Sequence, residues 1–166
     1  MTAVLDLATL EPDVLALAAA LRARGWKLAT AESCTGGLIA GACTAVAGSS
    51  DWFERGFVTY SNEAKVELLG VDAALLAARG AVSEEVARAM VAGALARSHA
   101  QLAVAVTGIA GPGGAVPGKP VGTVWLAWGT AAHVDAERLQ LPGDRAAVRA
   151  ASVAAALARL VSVGRA

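Results

Sequence analysis

Histidine and cysteine are scarce in this chain, with two of each among 166 residues. Cys34 and Cys43 make no zinc-binding pattern. His99 ends a helical stretch and His133 opens a hairpin strand, and both read as surface residues, which argues against a Ser-His-Asp triad. Net charge is also missing. Fourteen Lys and Arg balance fourteen Asp and Glu, so a protein that works on nucleic acid through a basic surface is not expected. No run of about 18 apolar residues free of charge occurs, so no membrane span is expected. The segment Met1-Thr-Ala-Val-Leu-Asp-Leu7 lacks the basic region of a signal peptide, which points to a reducing cytoplasm. Gly111-Pro-Gly-Gly114 is followed by Val116 where a G-x-G-x-x-G motif needs its last glycine, and no G-x-x-x-x-G-K-[ST] exists. A dinucleotide fingerprint and a P-loop are therefore both excluded. No internal repeat or linker interrupts the chain.

What is present is apolar: 56% hydrophobic against 17% charged, enough for a sizeable core in one domain spanning 1–166. A helix is expected to open at Glu11-Pro12, with Leu15, Ala18, Ala19 and Leu21 or Arg22 at helical spacing, and to stop at Arg24-Gly25. Trp26–Ala31 alternates like a strand, and the small residues 38–46 suit a helix. Trp52–Tyr60 is rich in aromatic and β-branched residues and reads as a second strand. Ser61 caps a short helix to Leu69, a helical piece covers Ala73–Ala78, and Ser83 caps a longer helix with Val86, Met90, Ala94 and Leu95 inward. Leu102–Thr107 is a continuous apolar run, as in a strand buried on both faces. Gly108–Pro120 is a long Gly/Pro loop, a kind that is often functional. Two strands, 122–128 and 133–141, form a hairpin. Pro142-Gly-Asp-Arg145 opens a last helix with Val148, Ser152, Ala155 and Leu160 on one spacing. The alternation predicts a three-layer α/β/α domain with a mixed, mostly parallel sheet.

Thr30-Ala-Glu-Ser-Cys-Thr-Gly-Gly37 lies at the first strand-to-helix junction. Thr35 is the expected N-cap, and Gly36 and Gly37 leave backbone N–H groups open to an anion or oxyanion. Ser33 stands at the lip of this turn as a candidate nucleophile. A plain capped connection would use the same residue types. Three expected strands end in polar or Gly-rich stretches, Glu32-Ser33, Tyr60-Ser61-Asn62 and Thr107-Gly108, where ligands bind in open α/β sheets. Lys65 falls near the first turn of the helix capped by Ser61. The positive end of that helix and a dry pocket both favour a neutral amine that could serve as base; a solvated surface lysine is the plainer alternative. Tyr60 could relay a proton or orient the amine. Cys34 is a rival nucleophile, since Glu32, Cys34 and Lys65 match by residue type the Glu-Lys-Cys set of one amidase class. Arg145, at a helix start, could hold a phosphate.

Thr30–Gly37, Gly56-Phe-Val-Thr-Tyr-Ser-Asn-Glu-Ala-Lys65, Gly80-Ala-Val-Ser83, Val106-Thr-Gly-Ile-Ala-Gly-Pro-Gly-Gly114, Lys119-Pro-Val-Gly-Thr-Val124 and Gly143-Asp-Arg145 together resemble the CinA C-terminal domain family. The resemblance covers nearly the whole chain. The N-terminal molybdopterin-binding-like domain of full-length CinA proteins is not expected here. The resemblance implies hydrolysis of the carboxamide of nicotinamide mononucleotide, giving nicotinate mononucleotide and ammonia. It implies Ser33 as nucleophile assisted by Lys65 and Tyr60, with no metal or cofactor, and a homo-oligomer, most simply a dimer. Glu32, Thr35, Gly36 and Gly37 would shape the substrate site and its oxyanion donors, and Thr107, Gly108 and Arg145 would meet phosphate and ribose. Another amide substrate, or a non-catalytic ligand-binding or competence-associated module, remain the competing classes.

Overall fold

The computed structural model describes residues 5–165. Met1–Val4, which belong to the segment read for a signal peptide, and Ala166 at the end of the expected 1–166 span lie outside the described residues. The elements are α1 (Leu7–Arg24), β1 (Leu28–Glu32), α2 (Leu38–Thr44), β2 (Phe53–Val58), α3 (Asn62–Leu69), α4 (Ala73–Arg79), α5 (Glu84–Ala96), β3 (Leu102–Gly108), β4 (Thr123–Gly129), β5 (Val134–Gln140) and α6 (Arg145–Arg165). The five strands form one sheet in the order β2-β1-β3-β4-β5. β1 pairs in parallel with β2 and β3, and β4 is antiparallel to both β3 and β5. Four strands thus share one direction and β4 opposes them, although the pairings split evenly.

The pleat of β3 explains the two layers. Leu102, Val104 and Val106 face α1, α2 and α6, while Ala103 and Ala105 face α5. Ala29, Ala31 and Ala127 continue the small-residue face on β1 and β4. Alternate residues of a strand point to opposite faces, so one run of apolar residues presents a bulky surface and a flat one. The flat one lets α5 lie close, with Val86, Ala87, Met90, Val91 and Ala94 fully buried against it. Gly93 extends the close approach outward. A Cβ there would collide with the backbone carbonyl of Leu69 at the end of α3.

Some expectations shift. α1 begins a turn before Glu11, because Asp6 caps it by accepting from the Ala8 N–H at 3.0 Å. Pro12 therefore lies beyond the first turn, on the exposed side, where a missing N–H is least harmful. The buried stripe is Leu10, Val14, Leu17, Ala18 and Leu21, and Leu15 is 48% exposed. α6 is long and apolar enough to cross a membrane by length and composition. Here it packs on α1 and the sheet, with Val148, Ser152, Val153, Leu157 and Leu160 fully buried.

Gly93→Ala should destabilise the fold by about 1–3 kcal/mol, the usual range for overpacking, because the obstructing atoms are backbone. Urea denaturation of the two proteins measures the difference.

Candidate active site

The strand order creates a switch at β1. The chain crosses from β1 to β2 on one side and then returns to β3 on the other. Ligands in open α/β sheets bind where the order reverses, beyond the carboxyl ends of strands. Here β1 ends at Glu32, paired with Val58 on one side and Val106 on the other. The Ser33 N–H donates to Val106 O at 2.9 Å, and the Thr59 N–H donates to Glu32 O at 2.9 Å. The three expected strand ends therefore converge.

Glu32 faces α2 and is fully buried. Its carboxylate accepts from the Ile39 N–H at 2.8 Å, the Ala40 N–H at 3.0 Å, the Thr35 hydroxyl at 2.8 Å and the Thr30 hydroxyl at 3.3 Å. This corrects the expectation for Thr35. Its hydroxyl donates to Glu32 and does not cap α2; Gly37 occupies the cap position and Glu32 satisfies the first N–H groups of the helix. Glu32 and Thr35 are thus internal braces of the turn, with no exposed surface to offer a substrate. Gly36 and Gly37 adopt consecutive left-handed conformations, φ 59° and 97°, which only glycine takes readily. The Gly36 N–H closes the turn onto Ser33 O at 3.0 Å, so it is already engaged.

Ser33 meets Lys65 on the opposite side of the sheet from Glu32. The Lys65 ammonium donates to Ser33 Oγ at 3.1 Å and to Thr59 O at 2.9 Å, with Tyr60 O and Ser61 O at 3.5 Å. α3 is capped by Ser61, whose hydroxyl accepts from the Ala64 N–H, and this sets Lys65 one turn in. Lys65 is 1% exposed and Ser33 9%, so the amine is sealed and little of Ser33 meets solvent. Among the described residues no carboxylate forms an ion pair with Lys65. Burial holds its pKa below the usual 10.5, and the neighbouring Cys34 opposes this weakly. A neutral amine has two N–H groups and one lone pair. The carbonyls around Lys65 can take the former, leaving the lone pair to accept from the Ser33 hydroxyl.

Tyr60 contributes its carbonyl to the amine, while its ring is 58% exposed. Its hydroxyl accepts from Arg145 Nη2 at 2.8 Å. Arg145 also donates to Gly111 O at 2.9 Å, and the Asp144 carboxylate caps α6 through the Ala147 N–H. Arg145 and Arg149 line a pocket of about 640 Å³ with Ala110, Pro112, Val121 and Gly143. Arg149, absent from the sequence reading, donates to Cys34 O at 3.1 Å and Thr35 O at 3.4 Å. Its spacing of four from Arg145 on one helix was the available signal. Thr107 and Gly108 do not line this pocket. The Thr107 side chain is buried and donates to Ala81 O, which corrects its assignment to phosphate or ribose. Cys34 is 5% exposed, and burial pushes its thiol up to about 11. Glu32 is bound to four donors, and among the described residues its carboxylate makes no hydrogen bond to Cys34 or Lys65. A larger hollow of about 810 Å³ at the other end of the sheet, near Trp26 and Leu95, has no titratable side chain in its lining.

The CinA C-terminal domain model matches residues 12–163. The chain belongs to this family. It is similar to the nicotinamide-nucleotide amidohydrolase PncC of Pseudomonas putida, at 58% identity over 144 residues, covering 87% of this chain and 90% of that one. The protein of the same name from Escherichia coli K12 is 54% identical over 142 residues, covering 85% and 86%. Among solved structures, the competence/damage inducible protein CihA from Agrobacterium tumefaciens superposes with a TM-score of 0.91 at 44% identity, covering 98% of this chain and 99% of that one. The family's solved members thus share this fold and the expected sequence resemblance holds.

Because Lys65 titrates lower in the folded chain than in the unfolded one, the unfolded state binds more protons between the two pKa values. The stability difference between the wild type and Lys65→Met should therefore move in favour of the wild type as pH rises toward 10.5. Denaturation curves across that range test it; a difference independent of pH would contradict the depressed amine.

Proposed function

We propose that the chain is a nicotinamide-nucleotide amidohydrolase that converts nicotinamide mononucleotide to nicotinate mononucleotide and ammonia by serine–lysine catalysis. The observation that carries this reading is the 3.1 Å contact between the Ser33 hydroxyl and a sealed Lys65 amine with no carboxylate partner among the described residues. The names of the relatives supply the substrate.

Neutral Lys65 takes the Ser33 proton as Oγ attacks the carboxamide carbon. The resulting ammonium gives that proton to the departing nitrogen, which leaves as ammonia. Water then attacks the acyl-enzyme, with Lys65 taking its proton and returning one to Ser33. Backbone N–H groups of the 33–37 turn stabilise the oxyanion, and loss of one such donor typically costs about 3 kcal/mol. Arg145, with Tyr60 at its side, is placed to receive the phosphate in the pocket it lines. The reading involves no metal, cofactor, nucleic acid or membrane, a homo-oligomeric state, and a reducing cytoplasm in which both buried cysteines stay free.

Ammonia release from nicotinamide mononucleotide by purified protein is the direct test. Activity should survive EDTA; loss restored by one divalent ion would overturn the metal-free mechanism. Ser33→Ala should lower kcat by at least about a thousandfold, on the scale seen when a nucleophile is removed, whereas Cys34→Ala should retain most turnover. The reverse pattern would transfer the nucleophile to Cys34. Lys65→Arg should bind substrate and fail to turn it over, because guanidinium does not give up its proton in proteins. The acid limb of the wild-type pH–rate profile should follow the Lys65 amine, with activity rising as pH increases.

A further inference from the structure

Tyr60 is held at both of its ends. Its carbonyl lies 3.5 Å from the Lys65 amine, which contacts Ser33 Oγ at 3.1 Å. Its hydroxyl accepts from Arg145 Nη2 at 2.8 Å. The side chain therefore spans the interval between the reacting serine and the arginine-lined pocket, and its ring is more than half exposed. Val58 is exposed as well and lies over the glycine turn, where a Cβ on Gly37 would meet Val58 Cγ2 at 3.4 Å. Among the described residues no tryptophan or phenylalanine lines the arginine pocket, so Tyr60 is the aromatic ring that reaches it.

A mononucleotide whose pyridine nitrogen carries the ribose has charges of both signs. Arg145 is placed for the phosphate. The ring nitrogen is quaternary, with no N–H to donate and no proton to lose, so no hydrogen bond can read its charge. A carboxylate or an aromatic face is left to do so. Glu32 is fully buried under its four donors. Asp144 is drawn into the cap of α6, beside Arg145. An aromatic face attracts a cation through the negative centre of its quadrupole, and quaternary nitrogen is recognised in this way.

Resting on the amidase reading above, we propose that Tyr60 is a specificity-determining residue, whose exposed ring stacks on the cationic pyridinium while its two ends hold the register between Ser33 and Arg145. The substrate class that follows is the oxidised, N-ribosylated pyridine. The reduced dihydropyridine nucleotide has the same phosphate, ribose and carboxamide but an uncharged ring, and the site discriminates against it. In this role the ring transfers no proton, and Lys65 is the base without a relay.

The experiment is calorimetric binding of nicotinamide mononucleotide and of its reduced form to Ser33→Ala, in which turnover does not consume the ligand, alone and combined with Tyr60→Leu or Tyr60→Phe. Ammonia release by the wild type is assayed separately and reports on the amidase reading alone. Ser33→Ala should bind the cationic ring about tenfold more tightly than the neutral one, within the range of a partly desolvated cation–π contact. Tyr60→Leu keeps an apolar surface without a quadrupole and should bring the two dissociation constants to within about twofold. Tyr60→Phe keeps the ring, loses the bond to Arg145 and should preserve the preference. Because Tyr60 is exposed, neither substitution opens the core. Equal affinity of Ser33→Ala for the two ligands would overturn the proposal, as would a preference that survives Tyr60→Leu. A preference lost in Tyr60→Phe as fully as in Tyr60→Leu would assign it to the hydroxyl's hold on Arg145 and overturn the proposal equally. An inactive wild type that still prefers the cationic ring through Tyr60 would remove the amidase reading and leave this recognition standing.

Discussion

The carboxylate of Glu32 fixes the geometry of the whole site. It lies beneath the N-terminus of α2, where the orphan N–H groups of the helix need acceptors, and it takes the Ile39 and Ala40 N–H groups with the Thr35 and Thr30 hydroxyls. Its backbone carbonyl meanwhile accepts from Thr59, whose own carbonyl accepts from Lys65. Ser33 and Lys65 are thus both positioned from one residue. Removing its side chain would leave two helix N–H groups unpaired, and the buried one, Ile39, would cost about 1–3 kcal/mol.

The Lys65 amine owes its lowered pKa to where it is kept. The positive end of α3 and a dry pocket were both expected to release the lysine proton. In the structure, Lys65 reaches back past that helix end to carbonyls of residues 59–61, a setting that by itself welcomes positive charge. Burial outweighs it and lowers the pKa. The cations stand outside this dry compartment, in the pocket near α6, where they can meet an anionic substrate. The dry compartment around Lys65 and the arginine-lined pocket near α6 thus lie apart, and Arg149 ties the pocket to the Ser33 turn through Cys34 O and Thr35 O.

Much of this was legible in the residues. Periodicity located every strand to within two residues, because β3 and β4 are almost continuously apolar and β5 is half-exposed. Ser61 and Ser83 cap their helices as their side-chain chemistry dictates. Pro12 misled, since a proline one turn in looks like a helix start when Asp6 is overlooked. Thr35 misled for a different reason. Local capping rules favour a hydroxyl close in sequence, and a carboxylate from the preceding strand displaced it through tertiary contact. Spacing set Arg149 one turn after Arg145 on α6 but could not reveal its partners, which lie 115 and 114 residues away. The alanines of β1 and β3 were visible but mute until the pleat showed that they share one face.

That alanine face sets a manufacturing tolerance. Ser33 ends a strand, but Lys65 rides on α3, which rests on α5 through the close pass at Gly93, and α5 rests in turn on Ala29, Ala31, Ala103 and Ala105. Methyl groups are the smallest shims that side chains provide, and a stack of them leaves little play between the sheet and the helix that carries the base. A displacement of about 1 Å in such a stack, even far from the reacting atoms, can cost on the order of a hundredfold in rate. The plainest residues of the chain thus act as its gauge blocks, setting how close α3 and its Lys65 lie to the strand end that leads into Ser33.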